Sequence, residues 1–353
     1  MKKISEHLGQ IIVALAGVAL LVAAVVVFKA PIGEFYNTML DKETSITDTV
    51  LEGLDDINLS DIPVEGDVYE YGDYKYTYKE ADGGWAVSIN TDVTDKKQTS
   101  YGPILTEIEG TPVTSLKNTF MDCTNLTVAP AIPEGVTSMV NTFWKCTSLT
   151  AVPAIPSGVT NMGSTFAYCT SITDVSDLVI PSGVTSMKQT FAACTGLTDV
   201  SNLVIPASVT TLYGTFNGCT KLTTAPDMSQ ATSVTDMAAT FQQCTKLTTA
   251  PVIPASVTNM QATFSRCYSL KTYAGSSAPD GDFSGYVIPS SVTTLYGTFQ
   301  GCTSLRGTIT VNANPTNYVQ CFYGTTQPIA LTGSSAVLAE LAATATNGNV
   351  TVQ

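Results

Sequence analysis

Nine cysteines and a single histidine bound the chemistry this sequence can carry. His7 precedes a long apolar run, so nothing after that run can form a Ser-His-Asp triad, a Cys-His pair or a histidine metal site. The cysteines Cys123, Cys146, Cys169, Cys194, Cys219, Cys244, Cys267 and Cys302 follow one another at steps of 23, 23, 25, 25, 25, 23 and 35 residues. Such spacing puts one thiol in each unit of a repeat, stacked about 5 Å from the next, which is the distance between neighbouring strands. A buried free cysteine behaves as a small hydrophobe, so the series reads as a structural ladder rather than a set of nucleophiles. Parallel Cβ vectors give neighbouring thiols poor geometry for disulfides. Asp280-Gly281-Asp282 offers two acids to a calcium ion that needs six to eight oxygens, and reads as a turn. No metal and no cofactor is implied.

The elements that position the thiols repeat with them. Thr119-Phe-Met-Asp-Cys-Thr-Asn-Leu126 returns as Thr142-Phe-Trp-Lys-Cys-Thr-Ser-Leu149, and again from Thr165, Thr190, Thr215, Thr240, Thr263 and Thr298. The full frame is V-T-x-[LM]-x-x-T-F-x-x-C-T-x-L, followed by a proline-marked linker. A unit this short cannot close a core alone, so the units must stack and align their Val, Met/Leu, Phe, Cys and Leu in columns. The spacing predicts a short strand at V-T-x-M, a tight turn at T-F-x-x-C and a second extended piece. The aligned prolines Pro130, Pro153, Pro226 and Pro251 interrupt that second piece, because proline has no N–H for a ladder. The threonine before each Phe reads as structural, its hydroxyl bonding backbone at the turn.

The frame resembles the leucine-rich repeats of the BspA-like bacterial surface proteins, the Treponema type, whose pattern runs A-F-x-x-C-x-x-L-x-x-I-x-L-P. Thr190 to Pro206 carries it with small insertions, and the resemblance extends from about Pro112 to Phe322. Thr in place of Ala before the Phe, and the aligned prolines, depart from it. The resemblance implies a mainly β fold: a leucine-rich-repeat solenoid of about eight units of 23–25 residues. It also implies a non-enzymatic surface adhesin whose partner is a protein or cell-surface ligand.

The net charge of −13 is unevenly placed: +2 over residues 1–30, −13 over 31–109 and −2 over 110–353. A nearly neutral, hydroxyl-rich repeat region argues against nucleic-acid binding, which needs a basic footprint. Ile11–Phe28 is an uncharged run long enough to span a membrane, with Lys2 and Lys3 favouring a cytoplasmic N-terminus. A cleaved signal peptide is the rival, and Phe28-Lys29-Ala30-Pro31 makes a poor cleavage site. A type IV pilin would need a Gly-Phe site that Gly9-Gln10 does not supply. The expected organisation is an N-terminal transmembrane anchor at 1–30, an acidic, partly helical stalk at 31–65, a β-hairpin cap at 66–110, the solenoid at 111–322 and a C-terminal cap at 323–353. Tyr74, Tyr76 and Tyr78, a turn at Asp82-Gly83-Gly84, then Trp85, Val87 and Ile89 supply the hairpin pattern. Ser334-Ser335 starts a short helix to about Ala343, and Val350-Thr-Val352 a last strand.

The 35-residue step carries about ten extra residues at Lys271–Gly281, expected as a surface loop. Insertions in solenoids often mark the binding face. Tyr273, Asp280, Asp282, Phe283 and Tyr286 are therefore the candidate partner-binding residues, with the tyrosines offering contact area. The functional expectation is a single-pass membrane protein displaying a non-catalytic adhesion solenoid outside a bacterial cell. The alternative is a structural envelope or appendage component, a spacer or pilin-like subunit, that assembles with itself.

Overall fold

A computed structural model describes residues 63–277 and 282–353, nearly all in the compact unit Val64–Gln353. The anchor expected at Ile11–Phe28 and nearly all of the stalk lie outside the described residues. Among these, no helix is long and apolar enough to cross a membrane.

Each repeat is one turn of a solenoid, and every second amide of its first half reaches the next turn. Leu116, Asn118, Phe120 and Asp122 donate N–H to the carbonyls of Ser138, Val140, Thr142 and Trp144 at 2.8–3.0 Å. The residues between them bond within their own turn: Thr119 to Leu116, Met121 to Asn118 and Cys123 to Phe120, at 3.0–3.2 Å. The alternation bends the chain without breaking the ladder, because the residue before each Thr and the residue before each Cys are left-handed, as at Asn118 (φ 63°) and Asp122 (φ 64°). The strand expected at V-T-x-M is correspondingly reduced to one parallel bridge per turn, Ser115–Ser138–Asn161–Ser186–Thr211–Asp236–Asn259–Thr294–Asn317. We call this half of each turn, from the Val to the Leu, the arc, and the proline-marked remainder the return.

The core is the set of columns. The Phe rings stack from Phe120 to Phe322 with centroids 5.3–5.8 Å apart and planes within 12° of parallel. All nine are buried. The repeat Val, Met/Leu, Cys and Leu/Ile positions are buried beside them. The ninth ring belongs to a turn that the sequence disguises. Phe299 N–H donates to Cys321 O, as Phe264 does to Thr298 O, so Cys321 stands in the Thr column. Thr325 then falls three residues after Phe322, where the other turns have Cys, and both residues are fully buried. Cys321-Phe322 is therefore part of an in-register ninth turn with Thr and Cys exchanged, one more than the eight units the frame shows.

Both ends are covered. At the N-terminal end, strands β1 (Val68–Tyr71), β2 (Tyr74–Lys79) and β3 (Gly84–Ile89) form an antiparallel ribbon. Strand β3 runs parallel to β5 (Thr111–Ser115), which also pairs with β4 (Glu107–Ile108). Tyr74 and Tyr101 pack on the first Phe ring at 6.1 and 5.5 Å, and Thr119 Oγ1 donates to Val87 O at 2.7 Å. The tyrosine alternation is thus a packed face: Tyr74 and Tyr76 are fully buried.

On the return side two residues of adjacent turns, β6 (Thr249–Ala250) and β7 (Thr272–Tyr273), pair in parallel. Farther along, β8 (Tyr286–Ile288), β9 (Gly307–Val311), β10 (Ile329–Thr332) and β11 (Val350–Val352) make a four-stranded parallel sheet. Proline accounts for part of the change. Four residues after the repeat Leu, Pro226 and Pro251 cannot donate to a ladder, whereas Ile309 occupies the same place in β9 and the ladder closes. The C-terminal cap adds α1 (Leu338–Ala343), whose Leu341 is fully buried. It starts later than Ser334-Ser335 suggests, and Ser335 Oγ instead accepts from Val337 N–H at 3.3 Å.

Candidate binding surface

The thiols do what their spacing implies. All nine are free and fully buried. From Cys146 to Cys302 each Sγ donates to the carbonyl of the preceding turn's Phe, at 3.0–3.1 Å. Cys123, with no earlier turn below it, accepts from Tyr101 Oη at 3.5 Å. Burial pushes every thiol above its ordinary range, and for the inner ones the adjacent thiols add to the rise. Such thiols stay protonated and are poor nucleophiles. The Thr column is equally structural. Thr142, Thr165 and Thr190 donate to the Met/Leu carbonyl of the preceding turn at 2.8–2.9 Å, and the pattern continues to Thr298.

The inserted turn departs from the expected loop. Thr272 pairs backwards with Thr249, in the position that bridges all the way from Asp174. Phe283 N–H donates forwards to Arg306 O. The extra residues therefore divide one rung into a backward-facing and a forward-facing piece, and Lys271 to Tyr273 belong to the regular frame.

Between the pieces the aromatic side chains close the gap: Phe283 and Tyr286 centroids lie 4.6 Å apart, Tyr273 and Tyr286 5.3 Å, and Phe283 meets Phe299 edge-on at 6.3 Å. Phe283 and Tyr286 are 0% and 1% exposed, which corrects the expectation that Tyr286 offers contact area and that Phe283 is a partner-binding residue. Tyr286 Oη donates to Pro251 O at 3.1 Å, and Tyr273 Oη to Ser284 O at 3.3 Å. Asp282 Oδ1 accepts from Ser284 N–H at 2.8 Å. Asp280 lies outside the described residues.

What faces solvent on the arc is a set of positions that vary while the columns repeat. The residue after the Met/Leu runs Lys117, Val140, Gly163, Lys188 and Tyr213 over the first five turns. The two after the Phe include Trp144, Lys145, Tyr168 and Tyr323. Tyr168, Tyr213 and Tyr323 are exposed. Trp144 and Tyr168, from adjacent turns, meet edge to face at 5.7 Å. Lys145 Nζ lies 4.1 Å from the Trp144 ring centroid and Lys188 Nζ 5.2 Å from that of Tyr213. Aligning the copies and reading the variable columns instead of the constant ones is the signal that finds this surface.

The return side carries a shallow apolar groove of ≈ 560 Å³ lined by Pro226, Met228, Ala231, Pro251, Val252 and Ile253, among others. Its cause is a local lapse in the repeat. Ile205-Pro206 and Ile253-Pro254 bury their isoleucines, but the turn between them has Gln230-Ala231, with Gln230 exposed.

The family described as the BspA type leucine rich repeat region matches residues 107–223 and 188–278, in six copies. No curated protein matches the chain. Among solved structures, the chain is similar to a leucine-rich-repeat protein of T. pallidum, with 20% identity over 66% of this chain and 88% of that one, at a TM-score of 0.42. A leucine-rich cell surface protein of Faecalibacterium prausnitzii shares 20% identity over 78% of each chain, at a TM-score of 0.43. A leucine-rich-repeat protein of Bacteroides ovatus shares 19% over 81% of this chain and 76% of that one, at 0.40.

Proposed function

Because the repeat region of this chain is a BspA-type leucine-rich-repeat region, we propose that the protein binds other proteins, without catalysis, at a bacterial cell surface. Ile11–Phe28 would hold it in the membrane with the N-terminus cytoplasmic and the solenoid outside. One observation carries the reading: the invariant columns are consumed by the core and the backbone ladder, while the outer arc positions vary from turn to turn and hold the half-buried Trp144 and the exposed Tyr168 and Tyr213. Aromatic residues on a rigid frame are the side chains that dominate interface energetics. The buried thiols, the natural candidates for chemistry, are committed to the ladder.

The test is binding of the 64–353 unit, compact in its own right, to immobilised host matrix proteins and to intact neighbouring bacteria. Saturable binding supports the reading. A measured hydrolytic or transfer activity, lost with the fold, would replace it.

Self-assembly is the second reading. Strand β1 is the outer strand of its sheet and exposes Val68, Tyr69 and Tyr71. An open edge of this kind accepts another strand. Concentration-dependent sedimentation of the same unit decides it.

A further inference from the structure

The near-neutral charge of residues 110–353 conceals two sides of opposite sign. The arcs carry six bases, Lys117, Lys145, Lys188, Lys221, Lys246 and Arg266, against only Asp122 and Asp236. The returns carry seven acids, among them Asp174, Asp177, Asp199 and Asp227, against Lys271 and Arg306. The arc is thus net +4 and the return net −5. The described ion pairs are both in the N-terminal cap, Lys75–Glu70 and Lys79–Glu65. Lys145 and Lys188 have no carboxylate partner among the described residues. Each leans instead over an aromatic ring, which holds a cation only weakly near solvent.

We propose that the arc face of the second to fifth turns docks an acidic polypeptide segment, whose carboxylates meet Lys145 and Lys188 while its apolar groups pack on Trp144, Tyr168 and Tyr213. The proposal rests on the protein-binding reading and names the partner's chemistry. Charge complementarity selects the sign, since a carboxylate offers each lysine a stronger contact than the ring does. The spacing selects a polypeptide. Six bases over seven turns are too sparse for a nucleic acid or a sulfated glycan, each of which presents a dense row of charge. A sugar ring would stack on an open aromatic face, whereas Lys145 covers one face of Trp144.

The experiment uses the full chain in detergent and, as probe, a fluorescent Glu/Tyr copolymer, with heparin as the rival polyanion. Trp144 reports contact through its emission, and Trp85, the other tryptophan, is buried in the cap. The copolymer is expected to bind saturably, weaken as salt rises, and lose tenfold or more in affinity in K145E/K188E. The control K221E/K246E makes the same change in charge on the far side of the Cys column and should retain wild-type affinity within about twofold. Thermal unfolding confirms that both variants fold. No copolymer binding, tighter binding of heparin, or equal losses in the two variants would overturn the proposal. If matrix proteins bind but K145E/K188E binds them as well as wild type does, the protein-binding reading survives and this assignment falls. Dimerisation that K145E/K188E abolishes, without copolymer binding, would assign the face to a second copy instead.

Discussion

The arc and the return of each turn are made from the same chain at the same rung spacing, yet they tolerate change very differently. The arc has one length, the same columns, and a backbone whose alternate N–H groups all serve the next turn. The return runs from the repeat Leu to the next Val over about ten, twelve or, once, twenty-two residues. Apart from the Thr/Cys exchange in the ninth arc, the irregularities described between the caps fall there: the divided rung, the Gln230-Ala231 lapse and its groove. Part of the physical reason is the proline. Where Pro226 or Pro251 has already removed ladder bonds, an added or lost residue breaks few more. On the arc one residue gained or lost would misplace every later column.

The largest expected effect attacks the arc alone, because all nine cysteines stand on it. Their pKa values are raised by burial in the folded state, so the folded protein keeps protons that the unfolded chain releases. The thiols' stabilisation is therefore complete below the unfolded value, about 8.5, and declines as pH rises towards the folded values. Each thiol should contribute roughly 1 kcal/mol of loss over the first pH unit above that point. For nine that is on the order of the whole stability of an ordinary domain. Alkaline titration followed by circular dichroism should show an abrupt unfolding within about two pH units above 8.5, an interval given by the same linkage. Thiol labelling at neutral pH should be slow until denaturant exposes all nine. A broad, shallow alkaline transition would mean that the thiols reach solvent in the folded protein.

A single column is next. Phe216 lies mid-stack, fully buried, with rings 5.8 and 5.6 Å away on its two sides. Phe216→Ala should cost about 3–5 kcal/mol in denaturant unfolding. On the return, Val204→Ala, at a side chain 45% exposed, should change stability by less than about 0.5 kcal/mol. Comparable losses at the two sites would end the contrast.

The arc was legible in the sequence because its columns repeat: Val, Met/Leu, Thr, Phe, Cys and Leu identify the solenoid, the ladder and the buried thiols. Where a column is filled by an unexpected type, reading fails. Cys321 and Thr325 trade places in the last turn, since Thr and Cys are close in volume and each can donate to a carbonyl, and so the frame shows eight units where the structure has nine turns. The return was less legible. About ten residues between frames, rich in Gly, Ser and Pro, suggest a loop on composition, but pairing of Thr272 with Thr249 and burial of Phe283 and Tyr286 depend on which backbone groups lie opposite, and composition does not encode that. The exposed arc face escaped notice because its residues share no type, only a position.

Removing the inserted segment is the moderate test. Deleting Tyr273 to Asp282 joins Thr272 to Phe283 and restores a 25-residue step. It removes Tyr273 from its contacts with Phe283 and Tyr286 but leaves the Phe stack whole. The variant should fold with a loss of about 1–2 kcal/mol, typical for partial removal of aromatic packing. Failure to fold would show that the divided rung is required by the turns beyond it.

The smallest effect is also the most discriminating, because one substitution should change sign between the two sides. Ala239 on the arc holds φ 54°, fixed by its N–H bond to Gln261 O at 2.8 Å, at a position where the preceding turn has Gly214 at φ 60°. An L-residue there carries a penalty of roughly 1–2 kcal/mol that glycine avoids. Glycine also gives the unfolded chain more freedom, which returns about 0.4–1 kcal/mol of that advantage. Ala239→Gly should therefore stabilise the protein by about 0.5–1 kcal/mol, the difference between those two terms. Ala255, on the return, is exposed and is not among the residues of positive φ. Ala255→Gly meets only the unfolded-state cost and should destabilise by about 0.4–1 kcal/mol. Paired urea titrations with matched slopes would resolve the two shifts. Destabilisation in both would mean that the left-handed arc residues carry no strain, and that the arc's uniformity rests on its side-chain columns alone.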